Sequence, residues 1–281
     1  RTYDILKEFG NLDFLYLLDI LHGKSGCSVD HAKHQLMDLA EAYGKYKGTQ
    51  FDKNAFFAAF APTTPRTDPH IAVIGAKMGT HLFSLVEETM PLPVENLTCA
   101  NNRSVVAPED QAEFETLMEA YARQLAREIE TAPPATGKQL VWIHTTPYWI
   151  TPLRALFSRT ARVQIAACDM SYEGIVDADP AKPYEAMSKR LVYSPFNGPV
   201  ERRIQRALEM AKTVDADGMV WFCHWGCKMT LGGARLGKKA FEEAGLPTLL
   251  LDGDSCDRGF GGEGQAATRV EAFLEVLEGM A

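Results

Sequence analysis

The 281-residue sequence has no apolar run near the roughly 18 to 20 residues that a membrane-spanning helix needs, so no membrane association is expected from it. It also lacks any Lys/Arg block: 29 basic residues against 37 acidic ones leave a net charge of -8, and a general nucleic-acid binder is therefore not expected. A local basic patch remains able to hold one phosphorylated ligand. No Walker pattern occurs, which assigns any ATP hydrolysis to a partner. Paired C-x2-C units of the structural zinc type are missing as well. The chain opens at Arg1 without a methionine and without a charged-then-apolar leader, so a fragment or processed chain is expected, with the cytoplasm as its default location. In that compartment the six cysteines stay reduced, which favours metal binding or catalysis over disulfides.

What is present is a globular composition, 46% hydrophobic and 23% charged, long enough for one large domain or two smaller ones. Residues 11–60 read as helical, with Leu12, Leu15 and Leu18 in one segment and Leu36, Leu39, Ala40 and Tyr43 in the next. Three prolines in Ala61–Pro69 disfavour helix at and before each ring and mark a linker. We therefore expect a helical N-terminal region over residues 1–67 and an α/β domain over 68–281.

In the second part, short β-rich apolar runs alternate with amphipathic helices, the pattern of a mostly parallel, doubly wound sheet of the Rossmann or flavodoxin kind. Six strands are expected: Ile71–Gly75, Val94–Cys99, Leu140–His144, Val163–Cys168, Met219–Cys223 and Thr248–Asp252. Helix stripes run through Phe114, Leu117, Met118, Tyr121 and Leu125, through Ile204, Ala207, Leu208 and Ala211, and through Val270, Phe273, Leu274 and Leu277. Their spacing of three and four faces each set toward the sheet as core.

Cys99, Cys168, Cys223 and Cys227 fall at or just past strand ends, and Cys256 closely follows another. That is the edge where α/β folds place their chemistry. Any one reduced cysteine is also a good apolar filler. Cys227 and Cys256, however, stand in Gly/Asp-rich loops where filling a core is not the task, so ligation or redox chemistry explains the group better. Soft thiolates suit zinc and iron–sulfur clusters alike. Thiolates scattered over a long span fit a cluster held between elements, and three cysteines would leave one iron open to substrate.

Several motifs then carry a family resemblance. They are His224-Trp225-Gly226-Cys227-Lys228, Leu251-Asp252-Gly253-Asp254-Ser255-Cys256-Asp257-Arg258, Gly264-Gln265, and the run Thr268–Glu275. Further upstream, Arg190–Arg203, Ile71–Gly75 and the turn Leu97-Thr98-Cys99-Ala100-Asn101-Asn102-Arg103 extend the likeness to about three quarters of the chain. The sequence resembles the 2-hydroxyacyl-CoA dehydratase component D family, which also holds benzoyl-CoA reductase subunits and double-cubane cluster proteins.

The resemblance implies a lyase subunit with a [4Fe-4S] cluster on three cysteines, or a linked pair of cubanes. It implies a separate ATP-dependent activator iron–sulfur protein that injects one electron, a second dehydratase subunit or a homodimer, and an acyl-CoA substrate. That electron reduces the thioester to a ketyl radical, which expels the 2-hydroxyl, loses a β-proton and returns the electron. The order of ligand candidates is Cys227, Cys99 and Cys256, then Cys27, Cys168 and Cys223. The resemblance implies a longer N-terminal α/β domain with cysteines of its own, of which residues 1–67 would be the remnant of a truncated form; here Cys27 in His22–Cys27 is the single thiol of the first 67 residues. Six thiols also match two cubanes at three each. A reductase, an electron-transfer protein and a non-catalytic, zinc-stabilised α/β module remain as alternatives.

Candidates for proton transfer are His144, His224 and Glu173, since imidazole titrates near neutrality and Glu173 lies in a loop at the same sheet edge. A strand-end histidine serves equally well as a structural group. Asp169 also reads as a helix cap or turn residue. Asp252, Asp254 and Asp257 beside a cluster would lower its potential. Gly75-Ala76-Lys77-Met78-Gly79, and Gly232-Gly233 with Lys238 and Lys239, are the weaker phosphate candidates.

Overall fold

In the computed structural model, the residues described are 2–52, 54, 137–145, 162–169, 181–254 and 263–280. The chain divides into two compact units, one of residues 1–67 with 174–199 and one of 68–173 with 200–281.

In the first unit, helix α1 spans Thr2–Phe9, α2 spans Gly26–Lys47 and α3 spans Pro183–Tyr193. Ser25 caps α2: its hydroxyl accepts the amide of Ser28 at 3.2 Å, satisfying one of the amides a helix start leaves open. Gly48, at φ 66°, closes the other end in the left-handed conformation that glycine adopts freely. Val29 and Ala32 of α2 bury against Val192 of α3, and Asn197 ties the junction by donating to the carbonyls of Leu21 and Val192.

The expected helix around Leu12, Leu15 and Leu18 does not form. Residues 11–25 carry no helical turn before α2, and Asn11 turns the chain away from α1 with φ 43°. Phe14 instead sets its ring 5.4 Å from Tyr43 and 5.2 Å from Tyr46 on α2. Aromatic packing onto α2 thus takes the place of a helix that has no cap of its own.

Among the described residues, the second unit is built on a four-stranded sheet, β1 Lys138–Ile143, β2 Val163–Cys168, β3 Gly218–His224 and β4 Thr248–Gly253. The spatial order is β2-β1-β3-β4 and every pairing is parallel. Four expected strands therefore form within two residues of their expected ends. Ile71–Gly75, Val94–Cys99 and the Phe114–Leu125 helix lie outside the described residues. Helices α4 (Val200–Thr213), α5 (Lys228–Glu243) and α6 (Glu263–Gly279) cover the sheet.

Strand alternation sorts the core into two layers. Val141, Ile143, Met219, Trp221 and Cys223 pack with Ile204, Ala207 and Ala211 of α4 and Phe241 of α5. Leu140, Trp142, Val220, Phe222 and Leu251 pack with Val270, Phe273, Leu274 and Leu277 of α6. Both faces are covered, which is why these strands read as nearly continuous apolar runs. The α5 helix comes very close to β3 and to α4: a Cβ on Gly237 would lie 2.1 Å from Trp221 Cζ3 of β3, and one on Gly233 2.4 Å from Val200 Cγ2 of α4. Glycine at 237 makes room for the Trp221 ring beside the helix, and its indole N–H donates to Thr230 O at 3.0 Å. Among the described residues no helix is long and apolar enough to cross a membrane.

Candidate active site at the carboxyl edge of the sheet

Because all four strands run parallel, their last residues meet at one edge. Asp169 follows β2, His144 follows β1, His224 ends β3 and Asp254 follows β4. The His144 and His224 rings are 6.0 Å apart between centroids, and His224 Nδ1 lies 3.8 Å from Asp254 Oδ1. The β3 exit is held in place by the Trp225 amide, which donates to Gly253 O at 2.9 Å.

Beneath this edge is a buried ion pair. Arg203, on the first turn of α4, is 2% exposed and donates from Nε to Asp169 Oδ2 at 2.6 Å. Asp169 is 4% exposed, and its other oxygen accepts the backbone N–H of His144 at 2.7 Å. The guanidinium lies 5.6 Å from the centroid of the Trp221 ring. Charges are tolerated at such depth only when paired, and the bond from Arg203 Nε to Asp169 supplies that pairing.

His144 adopts φ 81°, a conformation that costs a side-chain-bearing residue roughly 1 kcal/mol or more. Its N–H goes to Asp169, its carbonyl accepts Cys168 Sγ at 3.3 Å, and its Nδ1 is buried with no hydrogen-bond partner. Burial, then the nearby Arg203 charge and to a lesser degree His224, hold the imidazole pKa down at about 4 against the pull of Asp169. The ring is neutral near pH 7.

The thiols separate by environment. Cys168 packs on the α6 side of the sheet and Cys223 on the α4/α5 side, so alternation places them on opposite faces. Burial, followed by the Asp252 carboxylate, pushes the Cys223 thiol up. Cys227 has left the strand and forms the N-cap of α5. Burial raises its thiol too, but the Thr230 hydroxyl, the amides of Thr230 and Met229 and the Arg203 charge together outweigh this and bring it below the ordinary value. Cys27 is exposed on the first turn of α2, in the other unit. Cys99, Cys256 and Glu173 lie outside the described residues, as do Asp257 and the Gly75–Gly79 turn. Among the described residues no group of three or more His, Cys, Asp or Glu side chains could hold a metal ion. Cys227 fits a cluster ligand by its lowered thiol and its edge position, whereas Cys223, a buried core residue whose thiol is pushed up, does not.

Of the weaker phosphate candidates, Gly233 is a packing residue against Val200 and Trp221. Lys238 donates to Thr248 O at 2.9 Å and pairs with Glu242, and Lys239 pairs with Glu243. Arg203 is the site residue that the motifs did not single out. Its signal was a charge standing on the apolar stripe of Val200, Ile204 and Ala207, where a solvated arginine does not belong.

A parallel α/β sheet thus carries a cysteine whose thiol is held below its ordinary value, two histidines and a buried Asp–Arg pair at its carboxyl edge, the edge where such folds place their sites. The family model for "2-hydroxyglutaryl-CoA dehydratase, D-component" matches residues 1–277, and the chain belongs to that family. A 79-residue stretch is 37% identical to the (R)-phenyllactyl-CoA dehydratase beta subunit of Clostridium sporogenes, covering 28% of this chain and 20% of that subunit. The matched stretch thus spans about a fifth of that relative's length.

Proposed function

We propose that the chain is the iron–sulfur subunit of a 2-hydroxyacyl-CoA dehydratase, working in the cytoplasm with an ATP-dependent activator iron–sulfur protein and a second subunit or second copy. The observation that carries this is Cys227: a thiol held below its ordinary value at the helix start beside the sheet edge, in a chain of the D-component family. Cys227 would hold a [4Fe-4S] cluster together with Cys99 and Cys256, with Cys27 as the further candidate. When bound, such a cluster supplies one-electron chemistry and a Lewis-acidic iron.

The overall reaction removes water from the substrate: hydroxide leaves C2, a proton leaves the β-carbon, a double bond forms, and the electron taken up at the start is returned at the end. The chain's own residues supply proton transfer and orientation. The neutral imidazole of His144 is an acceptor near pH 7, and His224, close to Asp254, lies next to it. Glu173 is the third candidate for moving a proton.

The test is iron and acid-labile sulfide content of the anaerobically purified chain, with the electron paramagnetic resonance spectrum of the reduced protein. About four of each supports the single cubane, and turnover of a 2-hydroxyacyl-CoA with activator, ATP and reductant then completes the case. About eight iron with about nine sulfide would replace it with a double-cubane reductase or electron-transfer protein. Zinc, or no metal after reconstitution, overturns the enzymatic reading.

A further inference from the structure

Three facts about the β1 exit stand together: a side-chain-bearing residue sits in left-handed backbone, both of its backbone polar groups are gripped, and the grip on its N–H comes from a buried ion pair. His144 has φ 81°, its N–H is bonded to Asp169 and its C=O accepts from Cys168. One residue along, the Thr145 carbonyl accepts Trp142 Nε1 at 3.1 Å. Strained backbone persists only where its surroundings over-determine it, and such residues cluster at functional sites. An apolar pair at 169 and 203 would fill the layer between α4 and the sheet without any desolvation penalty, so stability alone does not explain Arg203 and Asp169.

We propose that Arg203 and Asp169 act as one positioning unit: Arg203 anchors the Asp169 carboxylate, whose second oxygen holds the His144 N–H and so fixes the left-handed turn that aims the imidazole along the sheet edge. Arg203 is itself fixed by Trp221, over whose ring its guanidinium lies, and α5 clamps that ring through Gly237. The aim of His144 therefore traces back to the packing of two helices on β3. Arginine suits this role better than lysine because its planar fork keeps Nε on the carboxylate while its face rests on the ring. The proposal rests on the reading of His144 as a proton acceptor, but its structural half does not require the cluster or turnover.

The test uses the full chain with selectively labelled histidine and compares the wild type with Asp169→Ala, Arg203→Lys and the charge-neutral double variant Asp169→Leu/Arg203→Met, which removes the acceptor together with the charges. The double variant leaves no uncompensated buried charge, which guards against simple unfolding. The His144 resonance is assigned by its disappearance in His144→Asn. In the wild type, His144 shows the strong intraresidue amide-to-Hα nuclear Overhauser effect of positive φ. Loss of that signature in Asp169→Ala and in the double variant, with part retained in Arg203→Lys, supports the positioning unit. Retention of the full signature in the folded double variant overturns it. With the substrate and activator identified, kcat should fall in the double variant while KM for the acyl-CoA holds; a change in KM alone would also overturn the role. An absence of cluster or turnover would refute the dehydratase reading and leave the resonance result standing.

Discussion

Protonating His144 should destabilise the folded chain over a defined pH window, and the size of the effect follows from its surroundings. The imidazole titrates at about 4 in the folded state against 6.5 in a solvated chain, because burial and the Arg203 charge oppose the imidazolium. The unfolded chain therefore binds the proton first as pH falls. The stabilisation this group contributes is complete above pH 6.5, is lost as pH drops from 6.5 toward 4, and changes no further below that. Linkage between these two values gives a loss that has reached about 2 kcal/mol by about pH 5. The ring is only partly buried, so solvent screening reduces this to about 1 kcal/mol. The control is His144→Asn, since asparagine tolerates left-handed backbone and does not titrate. Urea unfolding followed by the fluorescence of Trp142 and Trp221, which flank the site, would be run on both proteins at about pH 7.5 and about pH 5. The wild type should lose about 1 kcal/mol more than the variant between the two conditions, all other titrating groups being common to both. Parallel losses would refute the claim that His144 is held neutral by its site.

Two further outcomes are expected. Gly237→Ala should lower stability by about 2 kcal/mol, as roughly 3 kcal/mol of overpacking against the buried Trp221 ring outweighs the roughly 1 kcal/mol that alanine gains in a helix; Gly232→Ala, whose Cβ meets nothing within 4 Å, should be neutral or slightly stabilising, and equal effects in paired urea titrations would contradict the close packing of α5 on β3. In the metal-free chain, iodoacetamide should label Cys227 faster than Cys223 near neutral pH, because one thiol lies below its ordinary value and the other above it; peptide mass spectrometry showing the reverse order would contradict the helix-start environment of Cys227.

The elements legible in the sequence are those whose signal is local. Val163–Cys168 and the strand ending at Cys223 are short β-rich runs buried on both faces, and they form where expected. The stripe Val270, Phe273, Leu274 and Leu277 is buried along α6 as its spacing requires. The leucines at 12, 15 and 18 have helical spacing too, yet the segment lacks a cap and Phe14 finds Tyr43 and Tyr46 on α2, contacts that no window around residue 14 contains. At the site, Cys227 and the two histidines were legible because each stands where an apolar run ends. The partnership of Asp169 with Arg203 spans 34 positions and joins a strand end to a helix start, so an Asp after a strand read equally well as a cap.

Parity explains why the thiols do not behave as one set. Residues 223 and 227 are four apart, which on a helix would place them on one face, but the strand ends at His224 and the chain turns through Gly226 at φ 79°. Cys223 therefore keeps the inward direction of an odd-numbered β3 residue, shared with Met219 and Trp221. Cys227 takes the direction of a helix start, where amides converge and a thiolate is favoured. A single turn thus converts two neighbouring cysteines into a core filler and a ligand candidate. The same turn sets Cys227 in the field of the guanidinium that anchors Asp169, so α4 bears on both the cysteine and His144 from beneath the sheet edge. Geometry at that edge is accordingly a property of the α4–β3–α5 layer as a whole, and substitutions at Trp221 or Gly237 should alter the site without touching it.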